Sequence, residues 1–456
     1  MTIQSRILKS HPSTILLASF LLVIAAGVLL LELPVSTVSG HIAWVDALFT
    51  ATSAVCVTGL TVLDPGSAFT LFGQCVILAL IQVGGLGLMT ISVALFRWIG
   101  RSVSFRYRMV LQDVFAHTPR ADIFGLLKSV LFFTLTVEFI GAVLLTIHWR
   151  REFPLDQAAY RAIFHSVSAF CNAGFSLFPD SFMRYSGSTL LNVTICGLIV
   201  IGGIGFPVLY DLQNWLSGRK RRRIRLSIHT KTVLLTTSIL ILAGAFMFAF
   251  LEQQSLSTAP SLSHRILAPL FQSITCRTAG FNTVDIGSLK EATLALMICL
   301  MFFGASPGSC GGGVKTTTLA LLVLSIAGWL RRASRVHVFK KSIPRATLDR
   351  SVTLTLLAIG MISLIVFLIL AGNAVSGHVV AGPRGSFLGY LFETVSAFGT
   401  VGLSMGITPD LNVWGKLMLA LMMIIGRVGV LTFSYIFAGA AAGNGIEYAE
   451  ENLMVG

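Results

Sequence analysis

The chain has 456 residues, 55% of them hydrophobic and only 11% charged, with a formal net charge of +14. A soluble domain carries about 25% charged residues, so composition excludes a soluble protein built around one large core. The basic residues gather in loops between apolar runs, which fits a membrane surface and not a nucleic acid.

Eight spanning segments are predicted in chain order, near residues 13–35, 70–97, 125–148, 188–216, 232–252, 291–330, 351–372 and 412–440. The first, Ser13 to Leu33, is long enough to span a bilayer and too long for a signal-peptide core. Between the members of each successive pair lies a shorter stretch with one recurring pattern: a phenylalanine, a pore-helix-like run, a glycine and a large apolar residue. The four copies run from Phe49 to Gly59-Leu60, Phe164 to Gly174-Phe175, Phe271 to Gly280-Phe281 and Phe392 to Gly402-Leu403. The glycine follows the phenylalanine by ten residues in copies one, two and four, and by nine in the third. Recurrence at an interval of 106 to 122 residues signals internal repetition. The expected fold is an all-α polytopic membrane protein. Four span–re-entrant pore loop–span repeats, eight transmembrane helices in all, surround a pseudo-fourfold pore. Repeat 1 covers 13–97, repeat 2 covers 125–216, repeat 3 covers 232–330 and repeat 4 covers 351–440, with a tail over 441–456.

Lysine and arginine set the orientation. One group of loops holds Arg97, Arg101, Arg106, Arg108 and Arg120, then Arg219 to Arg223 with Arg225, then Arg331, Arg332, Arg335, Lys340, Lys341, Arg345 and Arg350. The positive-inside rule puts these loops and both termini in the cytoplasm, so the glycine loops enter from outside. Non-helical backbone at membrane depth is tolerated only where it is buried in protein or lines a watery path. Four such loops around one axis can replace an ion's hydration shell with carbonyl oxygens. Glycine allows the positive φ such a loop needs.

A second fourfold echo lies in the second spans, at Gly84-Gly85-Leu86-Gly87, Gly202-Gly203-Ile204-Gly205, Gly311-Gly312-Gly313-Val314 and Gly426-Arg427-Val428-Gly429. The first two copies read as small residues for close helix packing. The third follows Gly304-Ala305-Ser306-Pro307-Gly308-Ser309-Cys310 and precedes Lys315, which breaks the helix and marks a gate or transport path. A P-loop reading fails there, because Val314 separates Gly313 from Lys315. Arg427 inside the last span reads as a gate partner. Glu138 and Asp211 read as structural before ion-binding. Cys56, Cys171 and Cys276 read as small buried residues behind the glycine loops. His117, His148, His165, His229 and His337 are scattered, and no nucleophile–base pair stands out, so an enzyme is not expected.

These segments resemble the superfamily of K⁺ transporters that includes the Trk, Ktr and HKT proteins. The resemblance rests on Thr52-Ser53-Ala54 through Val57-Thr58-Gly59-Leu60, on Phe164 through Asn172-Ala173-Gly174-Phe175, on Arg277-Thr278-Ala279-Gly280-Phe281-Asn282 and on Glu393 through Thr400-Val401-Gly402-Leu403. Gly311 to Thr316 and Ile425 to Gly429 add to it, and it runs from about residue 13 to the end. The start at the first repeat and the short tail from Glu447 to Gly456 are similar to the KtrB-type subunit more than to the TrkH type. The resemblance implies a K⁺-translocating subunit of the bacterial cytoplasmic (inner) membrane, in contact with membrane lipids, forming a homodimer with one pore per protomer. It implies a cytoplasmic RCK-type (KtrA-like) ring as partner, which binds ATP or ADP and gates the pore, and Na⁺ as an activator. It also implies a K⁺ filter at Val57–Leu60, Asn172–Phe175, Thr278–Phe281 and Thr400–Leu403, and an intramembrane gate over Gly304–Thr317 with Arg427 as its partner. Pro307 and Cys310 depart from the family's more serine- and threonine-rich gate loop. The alternative within the fold is a Na⁺-permeable or weakly selective cation pore.

Overall fold

A computed structural model describes residues 12–87, 123–216, 226–257, 262–332, 336–339, 341–377, 380 and 383–430. Residues 88–122 and 217–225, which hold the first two basic loops, and the tail lie outside the described residues.

The described chain is almost entirely helical, and its helices recur in sets of long, short, long. The first set is α1 (Pro12–Leu31), α2 (Trp44–Val55) and α3 (Leu71–Leu86). The second is α4 (Ile123–Trp149), α5 (Leu155–Phe170) and the pair α6 (Thr189–Gly203) and α7 (Phe206–Leu216). The third is α8 (Ile228–Leu251), α9 (Leu262–Thr275) and the pair α10 (Glu291–Phe302) and α11 (Thr316–Leu330). The fourth is α12 (Arg345–Ser376), α13 (Phe387–Gly399) and α14 (Val413–Val428). A two-stranded antiparallel hairpin, His337–Val338 with Lys341–Ser342, precedes α12.

The long helices α1, α4, α8 and α10 are apolar on all sides, as expected where the surroundings are as apolar as the core. Three helices, α4, α8 and α12, are long and apolar enough to cross a membrane, with mean hydropathies of 2.3, 2.3 and 2.9. Their outward faces carry Phe132, Phe139, Phe246 and Phe367, each at least 65% exposed. The short helices α2, α5, α9 and α13 have the opposite habit. They are central, and Thr52, Ser53, Ser166, Ser168, Gln272, Thr275, Thr394 and Ser396 are buried on them. Buried hydroxyls within an apolar core, together with an apolar outer face, depart from the pattern of a water-soluble protein.

The sets close on one another. Helix α3 packs on α5, α6 on α9, α10 on α13 and α14 on α2, so the second long helix of each set meets the short helix of the next. The last of these contacts joins the two ends of the described chain, where Lys416 pairs with Asp46 at 2.8 Å.

Sequence pattern and structure differ at the second long helices. The reading above expects a break only in the third set. The second set breaks too, by 100° between α6 and α7. Helix α3 stops at Gly87 (φ 83°) and α14 stops at Gly429 (φ 96°), as α6 stops just before Gly205 (φ 94°). Packing is also present. A Cβ on Gly84, Gly202 or Gly426 would strike the backbone carbonyl of Val55, Phe170 or Phe398, at the end of the neighbouring short helix. One glycine of each echo admits the neighbour, and another turns the chain.

Candidate functional site

Each short helix ends in a loop that holds one of the recurring glycines. In copies one, two and four the ending is a Schellman motif. Thr58 N–H bonds Ser53 O (2.8 Å) while Val57 N–H bonds Ala54 O (3.1 Å). Ala173 and Asn172 do the same with Ser168 and Ala169, and Val401 and Thr400 with Ser396 and Ala397. The third copy closes differently, with Ala279 N–H on Thr275 O (2.9 Å), one residue tighter. The nine-residue spacing of that copy is therefore absorbed in the helix cap, and the loop beyond it keeps the common form.

That form is an alternation. Val57, Asn172, Thr278 and Thr400 have positive φ (56°, 57°, 83° and 49°), and so do Gly59, Gly174, Gly280 and Gly402 two residues later (89°, 69°, 79° and 91°). Three of the four leading residues are β-branched, for which the left-handed region is costly. The polar side chains of the short helices brace the loops from behind. Gly59 N–H donates to Ser53 Oγ (3.0 Å) and Gly402 N–H to Ser396 Oγ (3.1 Å). Ser168 Oγ–H donates to Phe175 O (2.8 Å) and Thr275 Oγ1–H to Phe281 O (2.7 Å).

The four glycines form a ring. A Cβ on Gly59 would meet Ala173 O, one on Gly174 would meet Ala279 O, one on Gly280 Val401 O and one on Gly402 Thr58 O. Each glycine thus faces the carbonyl of the residue that precedes the next glycine, and the fourth returns to the first. A cavity of about 300 Å³ opens on one side of the ring, lined by all four glycines together with Asp64, Ser176, Asn282 and Ser404. The large residues after the glycines, Leu60, Phe175, Phe281 and Leu403, are buried and anchor the loops.

On the other side of the ring lies the segment between α10 and α11. It closes on itself through Gly304 N–H to Val314 O (3.0 Å) and Thr316 N–H to Ala305 O (3.3 Å). It docks on the broken ends of the other sets, with Ser306 N–H on Gly203 O (3.1 Å), Cys310 N–H on Gly202 O (3.3 Å), and Phe206 N–H donating to Gly308 O (2.9 Å). Pro307 O abuts Gly205. Ser309 Oγ–H donates to Ser306 O (2.6 Å). Gly312 N–H donates to Thr400 Oγ1 (2.8 Å), and Gly313 N–H points at Gly426 O (3.4 Å). Gly311 lies against Thr278 Oγ1. The segment therefore sits directly beneath the ring and touches two of its leading residues. Arg427 spans this layer, donating to Cys310 O and to Gly84 O, while Lys315 Nζ donates to Gly311 O (2.7 Å) and Gly312 O (3.3 Å).

Glu138 and Asp211, the acidic residues singled out above, have hydrogen-bond partners. Glu138 accepts from Gln82 Nε2 (3.3 Å), and Asp211 accepts from Ser227 N–H (3.0 Å) and Thr230 Oγ1–H (2.6 Å) at the start of α8. Cys56, Cys171 and Cys276 are buried near the helix ends. The Asn172 amide bridges the helix end and the third copy, accepting from Thr278 Oγ1 (3.2 Å) and donating to Ala169 O and Ile199 O.

Two braces were not singled out from sequence. Glu393, buried on α13, accepts from Ser404 Oγ–H (2.6 Å), Met405 N–H (3.0 Å) and Thr408 Oγ1–H (2.8 Å), which fixes the chain beyond Gly402. His165 on α5 accepts Leu177 N–H at Nε2 (3.2 Å), which leaves Nδ1–H to donate to Arg161 O (2.7 Å). The available signal was an ionisable residue in the run between the repeat phenylalanine and its glycine, a buried position where a charge is expensive and so has a reason.

Comparison with known proteins agrees with this architecture. The chain is 38% identical to the Ktr system potassium uptake protein B of Bacillus subtilis over 451 residues, 98% of this chain and 97% of that one. It is 38% identical to the protein of the same name from Vibrio alginolyticus, covering 98% and 96%. It is 35% identical to the potassium/sodium uptake protein NtpJ of Enterococcus hirae over the full length of both. The crystal structure of the potassium transporter TrkH from Vibrio parahaemolyticus superposes with a TM-score of 0.69 at 21% identity, covering 94% of this chain and 85% of that one, which shows the shared fold. The model of the TrkH family of cation transport proteins matches residues 6–442, and the chain belongs to that family.

Proposed function

We propose that this chain is the pore-forming subunit of a K⁺ uptake system in a bacterial cytoplasmic membrane. One observation carries the reading: four loops from four parts of the chain meet in a closed ring, each glycine against the next loop's carbonyl. Such a ring offers backbone oxygens in place of water to a monovalent cation. The names of the relatives supply the ion.

In this reading the repeats are 13–97, 125–216, 232–330 and 351–440, and both termini are cytoplasmic. K⁺ enters the 300 Å³ vestibule from outside, where Asp64 adds negative charge. It sheds water at Val57–Leu60, Asn172–Phe175, Thr278–Phe281 and Thr400–Leu403, which form the filter. The short helices end at these loops, and their C-terminal dipoles favour a cation below the ring. The segment from Gly304 to Thr317, held by Arg427, is the gate. A cytoplasmic nucleotide-binding ring of RCK type moves it aside, and K⁺ runs inward down the membrane potential. The assembly is a homodimer, and Na⁺ acts as an activator.

A second reading, a pore that also passes Na⁺, is favoured by one observation: a relative at 35% identity over its whole length is named a potassium/sodium uptake protein. One experiment tests both readings. Cells without their own K⁺ uptake receive this chain with its ring subunit, or the Gly402→Ser variant. Growth on low K⁺ that the substitution weakens, with more Na⁺ entering, supports the K⁺ filter. Equal K⁺ and Na⁺ entry through the unaltered chain supports the second reading. Rescue unchanged by the substitution overturns the filter assignment.

A further inference from the structure

Lys315 is where a structural lysine is least expected. It is the N-cap of α11, so its charge opposes the helix dipole. It does not extend toward an aqueous surface. Its half-buried side chain folds back onto the gate segment, and Nζ donates to the carbonyls of residues four and three positions earlier, Gly311 (2.7 Å) and Gly312 (3.3 Å). Among the described residues, neither Lys315 nor Arg427 pairs with a carboxylate. Two cationic side chains thus cap three consecutive carbonyls, Arg427 on Cys310 and Lys315 on Gly311 and Gly312. Gly311 and Gly312 are the residues that touch Thr278 and Thr400, just under the glycine ring.

An ammonium group and a potassium ion carry the same charge and take carbonyl oxygens in the same way. We propose that the Gly311 and Gly312 carbonyls form a cation-binding position inside the gate, and that the Lys315 ammonium occupies it in this conformation as a tethered substitute for the transported ion. The inference rests on the pore reading above and goes beyond it. The gate then blocks by charge as well as by bulk. An ion descending from the ring meets an ammonium already seated on the oxygens it needs. Opening withdraws that ammonium and hands the same two oxygens to the ion.

The test is K⁺ flux into proteoliposomes that hold the full chain without its ring subunit. Lys315→Met and Lys315→Gln are expected to raise this partner-free flux about tenfold or more, whereas Lys315→Arg keeps it low. Gln retains amide donors for the two carbonyls, so a purely hydrogen-bonding role predicts that it behaves like Lys and would overturn the proposal. The second arm is Lys315→Cys, whose leak should close on treatment with 2-aminoethyl methanethiosulfonate, which rebuilds an ammonium of similar reach. Methyl methanethiosulfonate, which adds no charge, should leave the leak open, and the unaltered chain with each reagent corrects for native cysteines. Partner-free flux unchanged or lowered in Met and Gln, or a Lys315→Cys leak that aminoethylation leaves open, refutes the tethered ammonium. Ion preference in Gly402→Ser separates the two failures: it reports on the ring alone, and the Lys315 series reports on the gate alone.

Discussion

Glu393 shows how much of the ring's shape depends on a residue that does not line it. Its two oxygens accept three hydrogen bonds from the chain beyond Gly402. Glu393→Gln would keep a carbonyl oxygen for Ser404 and Met405 but turn an amide NH₂ toward Thr408 Oγ1, which must switch from donor to acceptor, and it would replace charge-assisted hydrogen bonds with neutral ones. The expected cost is about 1–3 kcal/mol, read as a lower thermal midpoint of the detergent-solubilised protein, together with a weaker preference for K⁺ over Na⁺ in flux. Loss of stability with ion preference intact would make Glu393 a fold residue only. The motif that contains Glu393 was legible in the sequence, yet its task was not. The residues it holds lie eleven to fifteen positions ahead, in a loop without periodicity.

The short helices and their loops were legible as elements because the phenylalanine-to-glycine pattern recurs four times. The tighter third cap could also be anticipated from its nine-residue spacing, although not where the missing residue would be absorbed. The break after α6 and the helix ends at Gly87 and Gly429 were hidden for a different reason. A glycine pair in an apolar run signals close packing, and Gly84, Gly202 and Gly426 do pack closely. The turning glycine follows within three residues and leaves no separate mark. At Gly205 the φ of 94° and the adjacent Pro307 carbonyl both exclude a side chain. Gly205→Ala should therefore cost more than about 1 kcal/mol and dislodge the proposed gate segment from α6, where Ser306 and Cys310 bond Gly203 and Gly202. The expected signature is a raised partner-free K⁺ leak with unchanged ion preference. A variant that stays tight would show that the docking on α6 does not hold the gate shut.

Among the described residues, serines, threonines and Glu393 are buried at the centre beside buried phenylalanines, while further phenylalanines face outward on the long helices. Composition alone showed only that the chain is too apolar for a soluble protein. The order of contacts, α3 on α5, α6 on α9, α10 on α13 and α14 on α2, was not in the sequence, since it depends on pairs far apart in the chain. In the proposed function the membrane potential supplies the energy. A potential of 100 mV is worth about 2.3 kcal/mol per monovalent charge, enough for roughly fifty-fold accumulation. Vesicles held at that potential should approach this ratio, and vesicles with the potential collapsed should only equilibrate. Accumulation that survives collapse would require a coupled ion and would count against simple conduction.

The ring of glycines also has a genetic consequence. A filter made of four identical subunits changes at four places with every mutation. Here each quarter of the ring has its own codon. Gly59, Gly174, Gly280 and Gly402 can be altered one, two, three or four at a time, and each one touched disturbs only the loops beside it. Ion preference in such a series should decline in steps, and the size of each step would measure how much of the discrimination that quarter contributes.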